Sequence, residues 1–192
     1  MIIGITGPTG SGKTTLLNLI AEAGGLVLDC DAIYHRLLAT DKALLCAIED
    51  RFPGVIQDGS LDRKALGAIV FADSAALRDL NTITHTAVKK AVLEALSQNP
   101  PLAAIDAIGL FEGGLAELCD TTVAVIAPLE DRIARIMARD GIPEDYARSR
   151  CAAQHDEAWF RSRCDLTLEN SGTPADCKAK CLAFLQQIGI IK

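Results

Sequence analysis

Five short runs of apolar residues are spread along this chain, and segments with helical spacing of their apolar residues separate them. Runs of this length, bounded by Gly, Pro or Asp, are typical of strands that are buried on both faces of a parallel sheet. They cover residues 2–5, 26–28, 102–106, 122–127 and 165–170. Strands that alternate with helices in this way predict an α/β fold of three layers (α/β/α), with a parallel five-stranded sheet between two layers of helices.

The segment between the second and third runs has helical patterns and no strand signal. It predicts helices over residues 32–38, 42–52, 62–71 and 74–97. The dipeptide Asp58-Gly59 predicts a turn, and Ser60 is a candidate N-cap of the helix after it. Asp73 or Ser74 is a candidate N-cap of the last helix. Because this segment is too long for an ordinary crossover, we expect a helical insertion that binds a substrate.

Helix signals also fill the last third of the chain. One helix is predicted over residues 130–139, with Gly141 as its stop and Pro143 in the first turn of the next helix. The final helix is predicted to run to about residue 187. Its start, Thr173-Pro174-Ala175-Asp176, combines a cap, a first-turn proline and an acidic residue at the third position.

A glycine-rich segment joins the first strand to the first helix. It has the spacing of a phosphate-binding loop, G-x-x-x-x-G-K-T, in the residues Gly7-Pro8-Thr9-Gly10-Ser11-Gly12-Lys13-Thr14. Glycines let main-chain N–H groups point inward, and a helix N-terminus favours an anion. A turn that only caps a helix is the alternative, but the strand and the helix that flank this one favour the phosphate loop.

The loop predicts a site for ATP and Mg²⁺. The Lys13 ammonium is placed for the β- and γ-phosphates, the Thr14 hydroxyl for Mg²⁺ and Thr15 for the α-phosphate. The predicted nucleotide-binding residues of this segment are Gly10, Ser11, Gly12, Lys13, Thr14 and Thr15.

Carboxylates follow two of the predicted strands. Asp29 and Asp31 come after the second strand, and Asp106 ends the third. The carboxyl ends of parallel strands line the ligand crevice of such sheets, so we expect these acids to face the same crevice as the phosphate loop. Asp31 is the predicted general base for a substrate hydroxyl. Asp106 is predicted to support Mg²⁺ or its water, although a strand that ends in Asp is by itself a common pattern.

Arginine is concentrated in one segment. Seven of the chain's eleven arginines, and no lysine, lie between residues 131 and 163. Because guanidinium groups bind phosphate through two parallel hydrogen bonds, this segment predicts a lid that closes over ATP and excludes water. The alternative, expected for about half of these arginines, is a solvated helix face paired with neighbouring acids.

Composition excludes some classes of function. The 192-residue chain is 49% hydrophobic and has a net charge of −6, which argues against nucleic acid as the main partner. The apolar run over residues 102–111 contains Asp106 and is too short to cross a membrane. No basic segment precedes the first strand, so we expect no signal peptide.

Seven dispersed cysteines without a C-x-x-C pair predict reduced thiols and a cytoplasmic protein. Cys177 and Cys181 lie one helical turn apart, but no histidine is near them in the sequence, so we expect both to pack in the core. The oligomeric state stays open between a monomer and a weak oligomer.

Taken in order, these motifs resemble the dephospho-CoA kinase family along nearly the whole chain. The matching segments are residues 4–14, 29–31, 58–63, 70–71, 110–112, 137–141, 152–154 and 169–172. The resemblance implies a P-loop kinase-like fold with ATP and dephospho-CoA as small-molecule substrates. It implies phosphorylation of the ribose 3′-hydroxyl of dephospho-CoA, the last step of coenzyme A synthesis. It divides the chain into a nucleotide core (1–31, 101–128 and 164–192), a helical acceptor-binding insertion (32–100) and an arginine-rich lid (129–163).

The resemblance also implies individual roles. Asp31 resembles the family's catalytic aspartate, and Arg139 resembles a lid arginine that binds ATP phosphate. The implied catalytic set is therefore Asp31, Lys13 and Arg139. Asn170 and Gly172 resemble the loop beside adenine.

The chain departs from the family's pattern at several positions. The family's arginine four residues after the catalytic aspartate is His35 here, with Arg36 next to it, and either residue is a candidate contact to the acceptor. The family's His-Pro is His85-Thr86, and we expect His85 to pack within its helix. The family's Pro-Leu-Leu before Glu112 is Ile108-Gly109-Leu110, where the backbone is expected to differ.

Two other functions fit part of the same pattern. One is a different small-molecule P-loop kinase, of the shikimate or gluconate type. The long insertion argues against the shikimate type. The other is a nucleotide-dependent switch without an acceptor. Such a switch needs no general base, so Asp31 and the arginine-rich segment argue against it.

Overall fold

The structure is a computed structural model that describes residues 1–191. Its strands are β1 (Ile2–Thr6), β2 (Leu26–Asp29), β3 (Ile56–Gln57), β4 (Ser60–Leu61), β5 (Ala103–Asp106), β6 (Thr121–Ile126) and β7 (Leu166–Glu169). Its α-helices are α1 (Lys13–Glu22), α2 (Cys30–Thr40), α3 (Lys42–Arg51), α4 (Arg63–Val70), α5 (Ser74–Leu96), α6 (Leu129–Asp140), α7 (Glu144–Ala152), α8 (Glu157–Arg163) and α9 (Pro174–Gln187). The five predicted long strands and the predicted helices are confirmed at nearly their predicted bounds.

Five strands form the parallel sheet, in the order β2-β5-β1-β6-β7. The central strand β1 pairs with β5 on one side and with β6 on the other, and Ile5 of β1 lies opposite Asp106 of β5 and Val123 of β6. The two inner isoleucines of β1, Ile3 and Ile5, are completely buried. A strand covered on both faces needs apolar residues at every position, which is why these strands appear as unbroken apolar runs in the sequence.

Helices cover both faces of the sheet. On one face, Leu16 of α1 and Leu185 of α9 pack in a cluster with Val123 and Val125 of β6. On the other face, Phe160 of α8 packs against Ala124 and Ile126 of the same strand. Because successive side chains of a strand point to opposite faces, one strand supplies both layers. The predicted α/β/α arrangement is confirmed.

The chain forms two compact units. The core unit contains residues 1–28, 100–110 and the chain from residue 115 onward, and it includes β1, β5, β6, β7 and helices α1 and α6–α9. The helical unit contains residues 29–99 and 111–114, with helices α2–α5. Its own apolar cluster contains Ile48 of α3, Phe52 at the C-cap of that helix, and Leu66 and Val70 of α4. Each unit therefore has a buried core of its own.

The prediction of no strand between residues 40 and 99 was wrong. Strands β3 and β4 form a short antiparallel hairpin in which Ile56 pairs with Leu61. Its two turn residues, Asp58 and Gly59, both have positive φ angles (50° and 76°), as a type I′ turn requires. Two-residue strands carry too few side chains for a periodic signal, so only the Asp-Gly pair pointed to this hairpin.

The helix caps are mostly those that the sequence predicted. Asp73 accepts a hydrogen bond from Ala75 N at the start of α5, and Gly141 ends α6 with a φ of 65°. Ser60, however, lies in β4, and the N-cap of α4 is Asp62. Thr173 and Asp176 form a complete capping box at the start of α9. Within residues 1–191, no helix is both long and apolar enough to cross a lipid bilayer.

Candidate active site

The phosphate loop, residues 7–14, connects β1 to α1 within the core unit. Gly7, Gly10 and Gly12 all have positive φ angles (137°, 78° and 91°). A Cβ at Gly7 would overlap Val125 O of β6, and a Cβ at Gly10 would lie 2.7 Å from Arg132 O. Neighbouring backbone therefore leaves no room for side chains at these positions, as in a cradle built from main-chain atoms.

Helix α1 begins inside this loop. Its N-cap, Gly12, is in the left-handed conformation and supplies no side-chain cap. The first N–H groups of a helix have no partner within the helix, and together with the helix dipole they favour an anion. At an ordinary N-cap, the side chain of Ser, Thr, Asn or Asp accepts a hydrogen bond from one of these N–H groups. Here no side chain does so, and the N–H groups are left for a ligand.

Lys13 lies at the first position of α1, beside the carboxylate that ends β5. Its ammonium donates a hydrogen bond to Gly7 O at 3.2 Å and lies 3.9 Å from Asp106 Oδ1. Both side chains are mostly buried, with exposed fractions of 14% and 18%. The structure therefore brings together two of the predicted site residues, which are more than ninety positions apart in the sequence.

The predicted Mg²⁺ site consists of Thr14 and Asp106. Thr14 is exposed in the first turn of α1, and Asp106 lies at the carboxyl end of β5. Among residues 1–191, no group of three or more His, Cys, Asp or Glu side chains is arranged to hold a metal ion. This donor set fits Mg²⁺ of the nucleotide-bound kind, which takes one or two protein oxygens and completes its shell with phosphates and water.

Two arginines of α6 hold the phosphate loop from outside. Arg132 Nε donates to Thr9 O at 2.9 Å, and Arg135 Nη1 donates to Gly10 O at 3.2 Å. Gln154 accepts from Thr9 N at 2.9 Å, so both main-chain groups of Thr9 are engaged. The concentration of arginine was the signal in the sequence, but it did not indicate that two of these residues bind loop carbonyls.

Asn170 follows β7 and is almost completely buried. Its Nδ2 donates to Ser11 O at 2.7 Å, and its main-chain N–H donates to Ile126 O at 2.7 Å. Gly172 has a φ of 99°, and a Cβ there would lie 2.8 Å from Asp176 Oδ2. The loop after β7 is thereby joined to the phosphate loop through Asn170, which the sequence had linked to adenine only by resemblance.

The other arginines of the predicted lid are mostly paired with carboxylates. Arg139 contacts the carboxylate of Asp140 at 2.7 Å and 2.9 Å, and Arg150 contacts it at 2.5 Å. These guanidinium groups, Arg139 first, lower the pKa of Asp140 to about 2. Arg148 pairs with Glu130 and Glu144, and Arg161 pairs with Glu157 and Glu169. Four of the seven arginines thus have acidic partners on the surface, as the alternative interpretation expected for part of the segment.

The predicted general base lies in the helical unit. Asp31 is exposed in the first turn of α2, whose N-cap is Asp29, with Asp29 Oδ1 accepting a hydrogen bond from Ala32 N at 2.9 Å. Both acids of the Asp29-Cys30-Asp31 segment are exposed, and they differ in that Asp29 caps the helix whereas Asp31 lies in its first turn. His35 Nδ1 lies 3.3 Å from Arg63 Nη2, which ties this histidine to the start of α4.

His85 lines a groove on the surface of α5. The groove has a volume of about 470 Å³ and lies between one face of α5 and residues 112–114, all within the helical unit. Its α5 side chains are polar or cationic: Arg78, Asn81, Thr82, His85, Thr86 and Lys89. We call it the α5 groove. The sequence prediction of simple helix packing for His85 did not include this surface.

Comparisons with known proteins agree on one family. The family model for dephospho-CoA kinase matches residues 1–176. A dephospho-CoA kinase from Anaeromyxobacter dehalogenans is 40% identical over 97% of this chain and 92% of its own length. One from Deinococcus radiodurans is 38% identical over 98% and 92%. A crystal structure from Thermus thermophilus superimposes with a TM-score of 0.81 at 36% identity, covering 98% of this chain and 97% of the other. The chain belongs to the dephospho-CoA kinase family.

Proposed function

We propose that this protein transfers the γ-phosphoryl group of ATP to the ribose 3′-hydroxyl of dephospho-CoA, which yields coenzyme A and ADP. The observation that carries the proposal is the position of Lys13, whose ammonium lies between Gly7 O and Asp106 inside a complete phosphate loop. The family match over residues 1–176 supports the choice of acceptor.

In the proposed reaction, the 3′-oxygen forms a bond to the γ-phosphorus while the bond from that phosphorus to the β–γ bridging oxygen breaks. The electron pair of the broken bond leaves with ADP, and the hydroxyl proton moves to Asp31. Lys13 and the main-chain N–H groups of the phosphate loop stabilise the negative charge on the phosphates. The exposed position of Asp31 in the first turn of α2 supports a role for which its carboxylate must reach a substrate.

We propose that Thr14 and Asp106 hold Mg²⁺ together with the nucleotide. When bound, the ion neutralises charge on the β- and γ-phosphates. The protein's own contribution is to keep the mostly buried Asp106 carboxylate next to the mostly buried Lys13 ammonium.

Arg139 is proposed to bind an ATP phosphate after it exchanges its partner. In this structure, the hydrogen bond to Asp140 raises the pKa of Arg139 and keeps its guanidinium on the surface. Two oxygens of a phosphate group accept parallel hydrogen bonds from a guanidinium as the two oxygens of a carboxylate do, so the exchange replaces one charge-assisted pair with another.

We propose that the α5 groove binds the acceptor. Its two cationic side chains, Arg78 and Lys89, suit the pyrophosphate of dephospho-CoA, and its amide, hydroxyl and imidazole groups suit the polar groups beside it. This proposal keeps the acceptor-binding role that the sequence suggested for the helical insertion. It also assigns His85 to the substrate.

The proposed activity is tested by ADP release in the presence of ATP and Mg²⁺, with dephospho-CoA, shikimate, gluconate or no acceptor. Stimulation by dephospho-CoA alone is the expected result, and analysis of the product should place the new phosphate on the ribose 3′-oxygen. Stimulation by another alcohol and not by dephospho-CoA would identify a different kinase. An ADP release rate that is the same with and without acceptor would identify a nucleotide hydrolase or switch.

The acceptor groove is tested with Arg78→Gln, and Lys90→Gln is the matched control. Lys90 lies on the same helix, is exposed and does not line the groove. We expect Arg78→Gln to raise the KM for dephospho-CoA roughly 10-fold or more while the KM for ATP stays unchanged. Equal KM values for dephospho-CoA in the two variants would remove the groove from the acceptor site.

We further propose that the protein acts in the cytoplasm as a monomer or weak oligomer, on small molecules rather than on nucleic acid or membranes. Seven free thiols support a reducing compartment, and a net charge of −6 disfavours polyanionic partners. Light scattering during gel filtration, at several protein concentrations, measures the oligomeric state.

A further inference from the structure

The core unit contains a cavity of about 510 Å³ that has no assigned role. It lies between the first turns of α6, the end of α7 and residues 154–157, and Pro8 of the phosphate loop forms part of its wall. We call it the α6–α7 cavity. Its size is within the range of small-molecule sites.

The lining of this cavity is apolar on one side and holds a buried cation. Ile126, Leu129 and Ile133 provide the apolar side. Arg132 provides the cation, with only 9% of its surface exposed. Its Nε is bonded to Thr9 O, but its Nη2 is buried and has no hydrogen-bond partner among the described residues.

Arg132 also lacks a counter-ion. No carboxylate within residues 1–191 forms a salt bridge with it, and burial lowers its pKa from the ordinary value, an effect that only the nearby Cys151 opposes. The acids on the cavity wall are already engaged, since Asp156 caps α8 and Glu157 pairs with Arg161. A buried guanidinium without an anion is costly, and an anion that enters the cavity removes most of that cost.

We propose that the α6–α7 cavity binds a small organic monoanion, a carboxylate with a short apolar body, whose charged group pairs with the guanidinium of Arg132. The apolar body lies against the side chains from β6 and α6. This site is separate from the nucleotide-binding face of the phosphate loop and contacts the loop from outside.

Occupancy of this site is coupled to the phosphate loop through Thr9. Arg132 holds Thr9 O at 2.9 Å and Gln154 holds Thr9 N at 2.9 Å, and both of these residues also line the cavity. An anion that pairs with the Arg132 guanidinium competes with Thr9 O for it, which weakens that hydrogen bond and changes the position of the loop that binds ATP. The ligand is therefore an effector of nucleotide affinity rather than a substrate.

The test is a titration of the whole protein with hexanoate, followed by calorimetry and by the backbone amide signals in NMR. We expect saturable one-to-one binding that shifts the Thr9 amide signal. Hexanamide, which has the same body without the charge, is expected to bind roughly 10- to 100-fold more weakly. Absence of hexanoate binding, or equal binding of hexanamide, would overturn the proposal.

Variants test whether Arg132, rather than another charged residue of the cavity, binds hexanoate. Arg132→Gln is expected to lose hexanoate binding. Arg148→Gln is expected to keep it, because Arg148 also lines the cavity but is already paired with Glu130 and Glu144. If Arg132→Gln does not fold, Ala152→Trp fills the cavity from an exposed position and is expected to abolish binding. Retained affinity in a folded Arg132→Gln or Ala152→Trp variant contradicts the proposal.

A nonhydrolysable ATP analogue distinguishes this site from the nucleotide site. We expect saturating analogue to change the Kd of hexanoate to a new finite value, since coupled sites influence each other reciprocally. A Kd that rises without limit as the analogue concentration increases shows direct competition, and Arg132 would then belong to the nucleotide site.

Discussion

At the scale of single residues, the site depends on where a side chain is missing as much as on where one is present. The three glycines of the phosphate loop touch β6, α6 and Asn170, so each marks a place where another element reaches the loop. In the proposed reaction, Lys13 and Asp31 supply the charges that a phosphoryl transfer needs.

Substitution of Gly12 tests how closely Asn170 packs against the phosphate loop. A Cβ at Gly12 would overlap Asn170 Nδ2, which is buried and bonded to Ser11 O, whereas a Cβ at Gly24 meets no atom within 4 Å. Both glycines have similar φ angles, 91° and 84°. We expect Gly24→Ala to lower the free energy of unfolding by about 1–2 kcal/mol. Gly12→Ala should add about 1–3 kcal/mol of steric cost to that.

Urea unfolding of both variants measures this difference, and equal losses would show that Asn170 moves aside freely. Gly12→Ala should also weaken ATP binding, because the N–H groups of the loop are displaced. Gly24→Ala, which lies beyond the end of α1, should leave ATP binding unchanged.

Substitution of Asp31 separates the chemical step from nucleotide binding. We expect Asp31→Asn to lower kcat by about 10²–10⁴-fold, the usual contribution of a general base, and to leave ATP affinity unchanged. Lys13→Ala should lower both kcat and ATP affinity, since the proposed function places its ammonium on the phosphates. Steady-state kinetics with a fluorescent ATP analogue gives both quantities. A similar loss of ATP affinity in the two variants would place Asp31 on the metal ion instead.

At the scale of elements, the helix ends decide where charged groups can serve the site. Helix α1 starts at a glycine without a side-chain cap, whereas α9 starts at the capping box of Thr173 and Asp176. The first arrangement leaves N–H groups for a ligand and the second satisfies them within the chain.

Removal of the α9 cap has a predictable cost. We expect Thr173→Ala to lower the free energy of unfolding by about 1 kcal/mol, because Asp176 N loses its acceptor and the Asp176 carboxylate loses the Thr173 hydroxyl as a donor. Thermal denaturation measures the change, and Thr173→Ser is the control that keeps the hydroxyl. A Thr173→Ser loss as large as that of Thr173→Ala would show that the methyl group, not the hydrogen bond, matters.

The end of α6 predicts a dependence on pH. Arg139 and Arg150 hold the pKa of Asp140 at about 2, below its ordinary value of 3.8. A carboxyl whose pKa is lowered by folding stabilises the protein at pH values above the unfolded pKa, and that contribution disappears as the pH falls through the folded pKa. The difference in unfolding free energy between wild type and Asp140→Asn should therefore be constant above about pH 5 and shrink towards pH 2.

Urea unfolding at a series of pH values measures that difference. Because the Asp140 carboxylate is on the surface, the difference should also decrease with added salt. A difference that is independent of pH between 2 and 6 would contradict the pairing seen in this structure.

At the scale of the whole molecule, the seven thiols differ in how deeply they are buried. Only Cys46 is exposed, Cys119 and Cys164 are half-buried, and the other four are buried. Burial raises the pKa of the Cys119 thiol to about 12 and that of Cys164 to about 11, with the nearby carboxylate of Asp165 adding to the effect in both. A raised pKa leaves little of the reactive thiolate at pH 8.

We therefore expect one thiol to react quickly with a disulfide reagent at pH 8 and the remaining six to react only after unfolding. Absorbance of the released thiolate follows the reaction, and Cys46→Ser should remove the fast phase. More than one fast equivalent in the native protein would show that a half-buried thiol becomes accessible. The predicted packing of Cys177 and Cys181 is confirmed, since both lie in the main core cluster with Leu185.

Ligand binding should stabilise the folded molecule as a whole. At an ATP analogue concentration of about 100 Kd, we expect the free energy of unfolding to increase by about 2.7 kcal/mol. The Lys13→Ala variant at the same concentration should gain much less. Differential scanning calorimetry with and without the analogue measures both, and equal gains would show that the analogue binds elsewhere.

The amino-acid sequence by itself determined the features that depend on near neighbours in the chain. Unbroken apolar runs require strands covered on both faces, and the spacing of Gly7, Gly12 and Lys13 requires a turn that exposes N–H groups at a helix start. Caps such as Asp73 and Thr173 act within one turn of helix, so the sequence around them is sufficient to predict them.

Only the tertiary structure decided which hydrogen-bond partner each of these side chains has when the partner is distant in the sequence. Arg132, Arg135 and Asn170 bind carbonyls of the phosphate loop, while Arg139 and Arg148 bind carboxylates, although all four arginines share one arginine-rich segment. The physical reason is that a guanidinium makes the same hydrogen bonds with a carbonyl, a carboxylate or a phosphate. Its partner is therefore chosen by the packing of α6 against the loop, and that packing joins residues more than a hundred positions apart.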